Sequence, residues 1–189
     1  MKLLRKPFAW KLGQRKSVFE NDWIDVNLIA AQDPNGRPAH YGLVHFKNLA
    51  IGIIPYENGH IWLVGQSRVS SETYSWEIAA GGGSPEIDPI ETAARELKEE
   101  TGFKAEKFTQ IVELETSNSV TDERAYIFLA TGLKAGEKDL ESSEDITVMK
   151  ISLDDAVAAV DAGEIRHSLG VSAIYKLALM QKSGELDGV

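Results

Sequence analysis

The sequence contains no cysteine. That excludes a disulfide framework, a thiolate zinc centre and a cysteine nucleophile. Histidine is scarce, four in 189 residues, which disfavours a His-rich metal cluster. No apolar run approaches the ~18 residues that a membrane-spanning helix needs. The basic start Met1-Lys2-Leu3-Leu4-Arg5-Lys6 has no apolar stretch behind it and does not read as a signal peptide. The cytoplasm is the expected location, and no membrane partner is expected. Basic residues are outnumbered, 20 Lys and Arg against 29 Asp and Glu, for a net charge of −9. This balance opposes the phosphate neutralisation on which nucleic-acid affinity rests, so a nucleic-acid partner is disfavoured. A phosphate-bearing small molecule stays open, because a metal ion can bring the positive charge.

What remains is an ordinary globular composition, 43% hydrophobic and 26% charged. The first half reads as strands and tight turns. Trp23 to Ile29 is rich in β-formers, Asp33-Pro34-Asn35-Gly36 is a tight Asn-Gly turn, and Tyr41 to Phe46 returns. A second hairpin pairs Ala50 to Ile54 with Ile61 to Val64 around Glu57-Asn58-Gly59. Its arms are nearly continuous apolar, as for strands covered on both faces. Ser75 to Ala79 is a short strand running into a glycine loop, Gly81-Gly82-Gly83. Two more strands are expected at Phe108 to Glu115 and Ala125 to Ala130, and another at Ile146 to Ile151. Helices are expected after Ser152 and from about Ser168 to Lys182. Strands mixed with a few helices indicate an α/β layered domain.

A helix is also expected to begin at Asp88. Asp88 is a good N-cap, Pro89 suits the first turn, and Glu91 sits three residues on. Gly102 provides the stop. Ile90, Ala93, Ala94 and Leu97 form the expected buried stripe. Glu96 and Glu100 then share a face at i,i+4, with Glu99 beside them. Like charges at that spacing cost a helix a few tenths of a kcal/mol per pair. A bound hard cation offsets such repulsion, since Mg²⁺ takes carboxylate oxygens and keeps several waters. The bland alternative is a solvated acidic face.

The stretch from Gly81 to Phe103 resembles the Nudix box, G-x5-E-x7-R-E-U-x-E-E-x-G-U, with U a bulky apolar residue. Gly81, Arg95, Glu96, Leu97, Glu99, Glu100, Gly102 and Phe103 fill their positions, and Ile87 departs from the first glutamate. Glu86 and Glu91 are the nearest substitutes. Gln66-Ser67-Arg68 and Tyr74 to Gly81 resemble the lead-in of ADP-ribose and nucleoside diphosphate sugar pyrophosphatases. Ala79-Ala80 stands where that subgroup more often has proline and alanine.

The resemblance implies an α/β (α+β) fold, a Nudix α/β/α sandwich with a mixed sheet and a small N-terminal β-sheet region. Residues 1–47 would form that region and mediate a homodimer, and residues 48–189 would form the Nudix hydrolase domain. It implies hydrolysis of the pyrophosphate bond of a nucleoside diphosphate sugar, ADP-ribose first among them. The cofactor would be Mg²⁺ or Mn²⁺, held by Glu96, Glu99, Glu100 and the Ala80 carbonyl. Arg95 would orient a box carboxylate. Glu141 or Glu144, in a late acidic loop, would act as general base. Arg68, Gly81, Gly82 and Glu123 would meet the substrate. Other substrates of the family (dinucleoside polyphosphates, a coenzyme pyrophosphate, an RNA 5′ end) and a non-catalytic nucleotide-sugar sensor are the competing readings.

Overall fold

The computed structural model describes residues 2–136 and 145–187. The chain forms two compact units: Met1–Lys47 with Ser117–Glu123, and Asn48–Thr116 with Arg124–Val189.

The first unit is a three-stranded antiparallel sheet of β1 (Lys11–Glu20), β2 (Ile24–Gln32) and β3 (Pro38–Phe46), in that order. The β2–β3 turn is wider than a two-residue Asn-Gly turn. Gln32 pairs with Pro38, leaving residues 33–37 in the loop. The Asp33 side chain organises it, accepting from the N–H groups of Asn35 at 2.8 Å and Arg37 at 2.9 Å. Only Gly36 takes left-handed backbone, at φ 81°. Segment 117–123 adds to this sheet. Val44 and Thr121 form a parallel bridge, and the Tyr41 hydroxyl donates to the Ser119 carbonyl.

The second unit is built on a sheet ordered β12 (Thr147–Ser152), β5 (His60–Arg68), β4 (Leu49–Glu57), β10 (Arg124–Thr131) and β9 (Lys107–Glu115). The sheet is mixed, since β4 and β10 run parallel while β10 and β9 run antiparallel. β4 and β5 pair only at their hairpin, where Asn58 (φ 49°) and Gly59 (φ 77°) make the two-residue turn the sequence announces. Beyond it they separate. β5 takes β6 (Thr73–Glu77), and β4 takes β7 (Ala79–Gly83). The three glycines expected in a loop therefore lie in a strand. Two short strands, β8 (Phe103–Lys104) and β11 (Lys134–Ala135), pair apart from this sheet.

Helix α1 (Pro89–Thr101) covers one face, and α2 (Leu153–Asp161) and α3 (Ser168–Lys182) the other. The apolar runs of β4 and β10 serve both faces. Ile51 and Ile53 with Phe128 and Ala130 pack with Ala93 and Leu97 of α1. Ile54 and Tyr56 with Ile127 and Leu129 pack with Ala156, Ala173 and Leu177. This is the α/β/α arrangement the sequence implied. Among the described residues no helix is long and apolar enough to cross a membrane.

Candidate active site

Both ends of α1 are fixed locally. Asp88 accepts from the Ile90 N–H at 2.9 Å, and Gly102 (φ 77°) closes the helix with its N–H on the Lys98 carbonyl. These caps set which side chains face β7. The buried ones are Thr92, Ala93, Glu96, Leu97, Glu100 and Thr101. Ile90 and Ala94 are exposed, so the expected apolar stripe is half wrong. The reason is the glycine strand opposite. With no side chains at Gly81 to Gly83, the helix fills the space there with longer ones. A Cβ at Gly81 would lie 1.9 Å from Glu96 Oε1, and one at Gly83 2.7 Å from Thr92 Oγ1.

Two of the three glutamates thus belong to the buried face. Glu100, 2% exposed, accepts from the Ala80 N–H at 3.1 Å. Glu96, 8% exposed, accepts from Arg95 Nη2 at 2.6 Å. Glu99, half-buried, accepts from Arg95 Nη1 at 2.6 Å. Arg95 also donates to the Gly82 carbonyl at 3.3 Å. Burial disfavours its charge, but the Glu96 and Glu99 carboxylates outweigh that and raise its pKa.

At the departure from the box, Ile87 is exposed in the 84–87 turn. Arg95 is tied to Glu96, Glu99 and Gly82, and among the described residues neither Glu86 nor Glu91 bonds to it.

Among the described residues no three acidic or histidine side chains converge at metal-binding spacing, and the Arg95 fork joins Glu96 to Glu99. The donors nevertheless suit a divalent ion. They are carboxylate and carbonyl oxygens, hard ligands, and the missing Cβ of Gly81 leaves the cradle in which the Glu96 carboxylate sits.

Arg68 lies at the end of β5. Its fork closes on Glu77, Nε to Oε1 at 3.0 Å and Nη2 to Oε2 at 2.6 Å. Glu77 was not singled out by sequence reasoning. The available signal was a charged residue inside an apolar strand, Trp76-Glu77-Ile78-Ala79. Glu123 and Asp122 belong to the first unit. There Asp122 holds the end of β3, accepting from the Phe46 N–H at 3.0 Å and pairing with His45 Nδ1 at 2.7 Å. Glu141 and Glu144 lie outside the described residues.

A family model described as the NUDIX domain matches residues 46–169. The chain belongs to the Nudix family. Nudix hydrolases generally use divalent metal ions, and this Nudix chain is a pyrophosphohydrolase. It is 32% identical over 178 residues, 93% of its own length and 96% of the relative's, to the ADP-ribose pyrophosphatase of Bacillus subtilis (strain 168). It is 28% identical to the methanol dehydrogenase activator of Bacillus methanolicus, again covering 93% of this chain and 96% of the relative. Among solved structures, that of an ADP compounds hydrolase superposes with a TM-score of 0.85. That match covers 97% of this Nudix chain and 100% of the other at 20% identity, a likeness of fold.

Proposed function

We propose that this enzyme hydrolyses the diphosphate bond of a nucleoside diphosphate sugar in a divalent-metal-dependent reaction, with ADP-ribose the first substrate to test. The observation that carries this reading is the delivery of two buried glutamates, Glu96 and Glu100, against the backbone of Ala80 and Gly81. A buried carboxylate is costly unless partnered, and here the Ala80 N–H partners Glu100 and Arg95 partners Glu96. The full-length likeness to an ADP-ribose pyrophosphatase supports the substrate class.

Glu96, Glu99, Glu100 and the Ala80 carbonyl would hold the metal. Once bound, the ion supplies charge neutralisation at the phosphate oxygens and an activated water. The chain's own residues do the rest. Arg95 joins Glu96 and Glu99 and ties them to the Gly82 carbonyl. Gly81 and Gly82 let the backbone approach the diphosphate closely. Arg68, its Nε and Nη2 bonded to Glu77, would meet the phosphates with the rest of its guanidinium. In hydrolysis a water oxygen bonds to one phosphorus, the bridging P–O bond breaks, and a proton passes to a base. The resemblance points to Glu141 as that base, with Glu144 more like a metal ligand. Two phosphate monoesters result.

The protein is also read as a homodimer through its N-terminal sheet. β1 is exposed along its whole length and carries Leu12, Val18 and Phe19. Light scattering on eluting protein tests this, and a mass near 20.8 kDa overturns it.

The deciding experiment is product analysis with purified protein and Mg²⁺ or Mn²⁺. The panel comprises ADP-ribose, other nucleoside diphosphate sugars and a dinucleoside polyphosphate. A nucleoside monophosphate plus a sugar phosphate, abolished by chelator, is the expected result. Cleavage of the dinucleoside polyphosphate alone would reassign the substrate, and silence across the panel would sink the reading.

A further inference from the structure

Arg68 and Glu77 come from neighbouring strands, β5 and β6, whose ladder pairs Val64 with Glu77 and Arg68 with Thr73. Both carboxylate oxygens are engaged, which fixes the plane of the guanidinium as well as its position. The partners are unequal in exposure, the Glu77 side chain at 2% and the Arg68 side chain at 40%. The arginine reaches the surface while its anchor is buried.

A third residue reaches the anchor from the opposite layer. His167 is the N-cap of α3, and its Nδ1 stands 3.5 Å from Glu77 Oε2. The first turn of α3 lies against the β6–β7 junction, where the position of a Cβ on Gly170 is 3.7 Å from the Ile78 nitrogen. Burial pushes the Glu77 carboxyl upward and is the largest single influence on it. The Arg68 hydrogen bond and the His167 and Arg68 charges together outweigh burial and hold it below its ordinary value.

Stability gives little reason for this arrangement. A buried ion pair can be replaced by well-packed apolar residues at little or no loss, and the surroundings here, Val64 and Ile78, are already apolar. Location supplies a reason. Glu77 lies three residues before Ala80, ~10 Å of extended chain, and Ala80 donates to Glu100. Glu77 ends β6 and Ala80 is the second residue of β7, so the fork and the glutamate cluster flank the β6–β7 junction.

We propose that Glu77 and His167 are positioning residues that hold the Arg68 guanidinium rigid for the diphosphate of the substrate. This rests on the functional reading above. His167 stands against the carboxylate that Arg68 grips, so Glu77 keeps its place when a phosphate draws the arginine, and the guanidinium meets its anion already oriented.

The test is a double-mutant cycle in the full-length enzyme, read in KM and kcat for ADP-ribose. R68A raises KM about 20-fold with kcat changed by less than about threefold, as expected for loss of one charge-assisted contact. H167A raises KM about fivefold, and R68A/H167A is no worse than R68A, because His167 acts only through Arg68. H167N, which places an amide near the lost Nδ1, recovers most of the wild-type KM. E77Q keeps the shape of the anchor and follows R68A. Multiplying effects in the double mutant, or an H167A enzyme with altered melting and unaltered KM, would overturn the proposal. Calorimetric binding of inorganic pyrophosphate with Mg²⁺ repeats the cycle without turnover. Binding weakened by H167A only when Arg68 is present, in a protein that cleaves no nucleotide sugar, defeats the functional reading and keeps this inference. Cleavage with an unaltered H167A keeps the functional reading and defeats the inference. Pyrophosphate binding indifferent to R68A also defeats it.

Discussion

The two sheets use hydrophobic residues in opposite ways. In the second unit, successive residues of β4 disappear into different cores: Ile51 and Ile53 toward α1, Ile54 and Tyr56 toward α2 and α3. In the first unit, none of the ten residues of β1 is even half-buried. Its order comes from the ladder to β2, which is interrupted by register shifts between Leu12 and Arg15 and between Ser17 and Phe19. Lys11, Arg15 and Lys16 line the same strand. Irregular pairing and basic side chains are the devices that keep a free edge from recruiting further strands. One sheet is thus held by what it buries, and the other by backbone pairing with a guarded edge. Chemistry requiring ångström placement belongs on the first kind.

That contrast is broken most severely at the glutamates of the buried face. E100Q should lower kcat by about a thousandfold, a size typical of losing a group that acts on the transition state, with melting changed by only a few degrees. Activity within tenfold of wild type would remove Glu100 from the site. Next comes the core behind it. Leu97 is fully buried, and L97A should cost about 2–5 kcal/mol by chemical denaturation. G81A should separate fold from function, lowering activity roughly 10- to 100-fold by displacing the Glu96 carboxylate, with less effect on stability than L97A. A stability loss matching L97A would mean that the backbone, rather than Glu96, yields.

Smaller still is an acid effect at Glu77. Its folded pKa is depressed, so its contribution is present above the ordinary glutamate value near 4.5 and is lost as pH falls through the folded value. E77Q should therefore flatten the acid limb of a stability-against-pH curve, and an unchanged limb would contradict the assignment. The smallest effect belongs to the exposed sheet. V18T, on a residue 58% exposed in the single chain, should change the stability of a lone subunit by less than about 0.5 kcal/mol. A larger loss that grows on dilution is the result expected of a dimer through this sheet, and its absence would count against that contact.

How much could be read beforehand follows the same division. Helix α1 and its caps were legible because Asp88, Pro89 and Gly102 act within a few residues of themselves. The same holds for the Asn58-Gly59 turn, where both positive φ values are local. β1 was not legible. Lys11 to Glu20 has no apolar alternation, and its conformation is imposed by β2. The glycine strand was misread as a loop because its partner, β4, lies some thirty residues earlier. The buried stripe of α1 was shifted for a related reason: the missing side chains at Gly81 and Gly83 leave room for Glu96 and Thr92 to turn inward, and no period in the helix itself encodes that. The motif carrying Glu96, Glu99 and Glu100 was legible in the sequence, whereas the Glu77 anchor needed α3, ninety residues further on, to be in place.

The fit between Gly81 and Glu96 bears on the history of the sequence as well as its chemistry. The two positions are one character rather than two. Any side chain gained at 81 while 96 remains Glu collides with the carboxylate, and a shortening at 96 while 81 remains Gly opens a void beside the strand. A descendant that changes either has to pass through the weaker intermediate or change both at once. The pair should therefore persist in lineages that keep hydrolysis and drift together in those that abandon it.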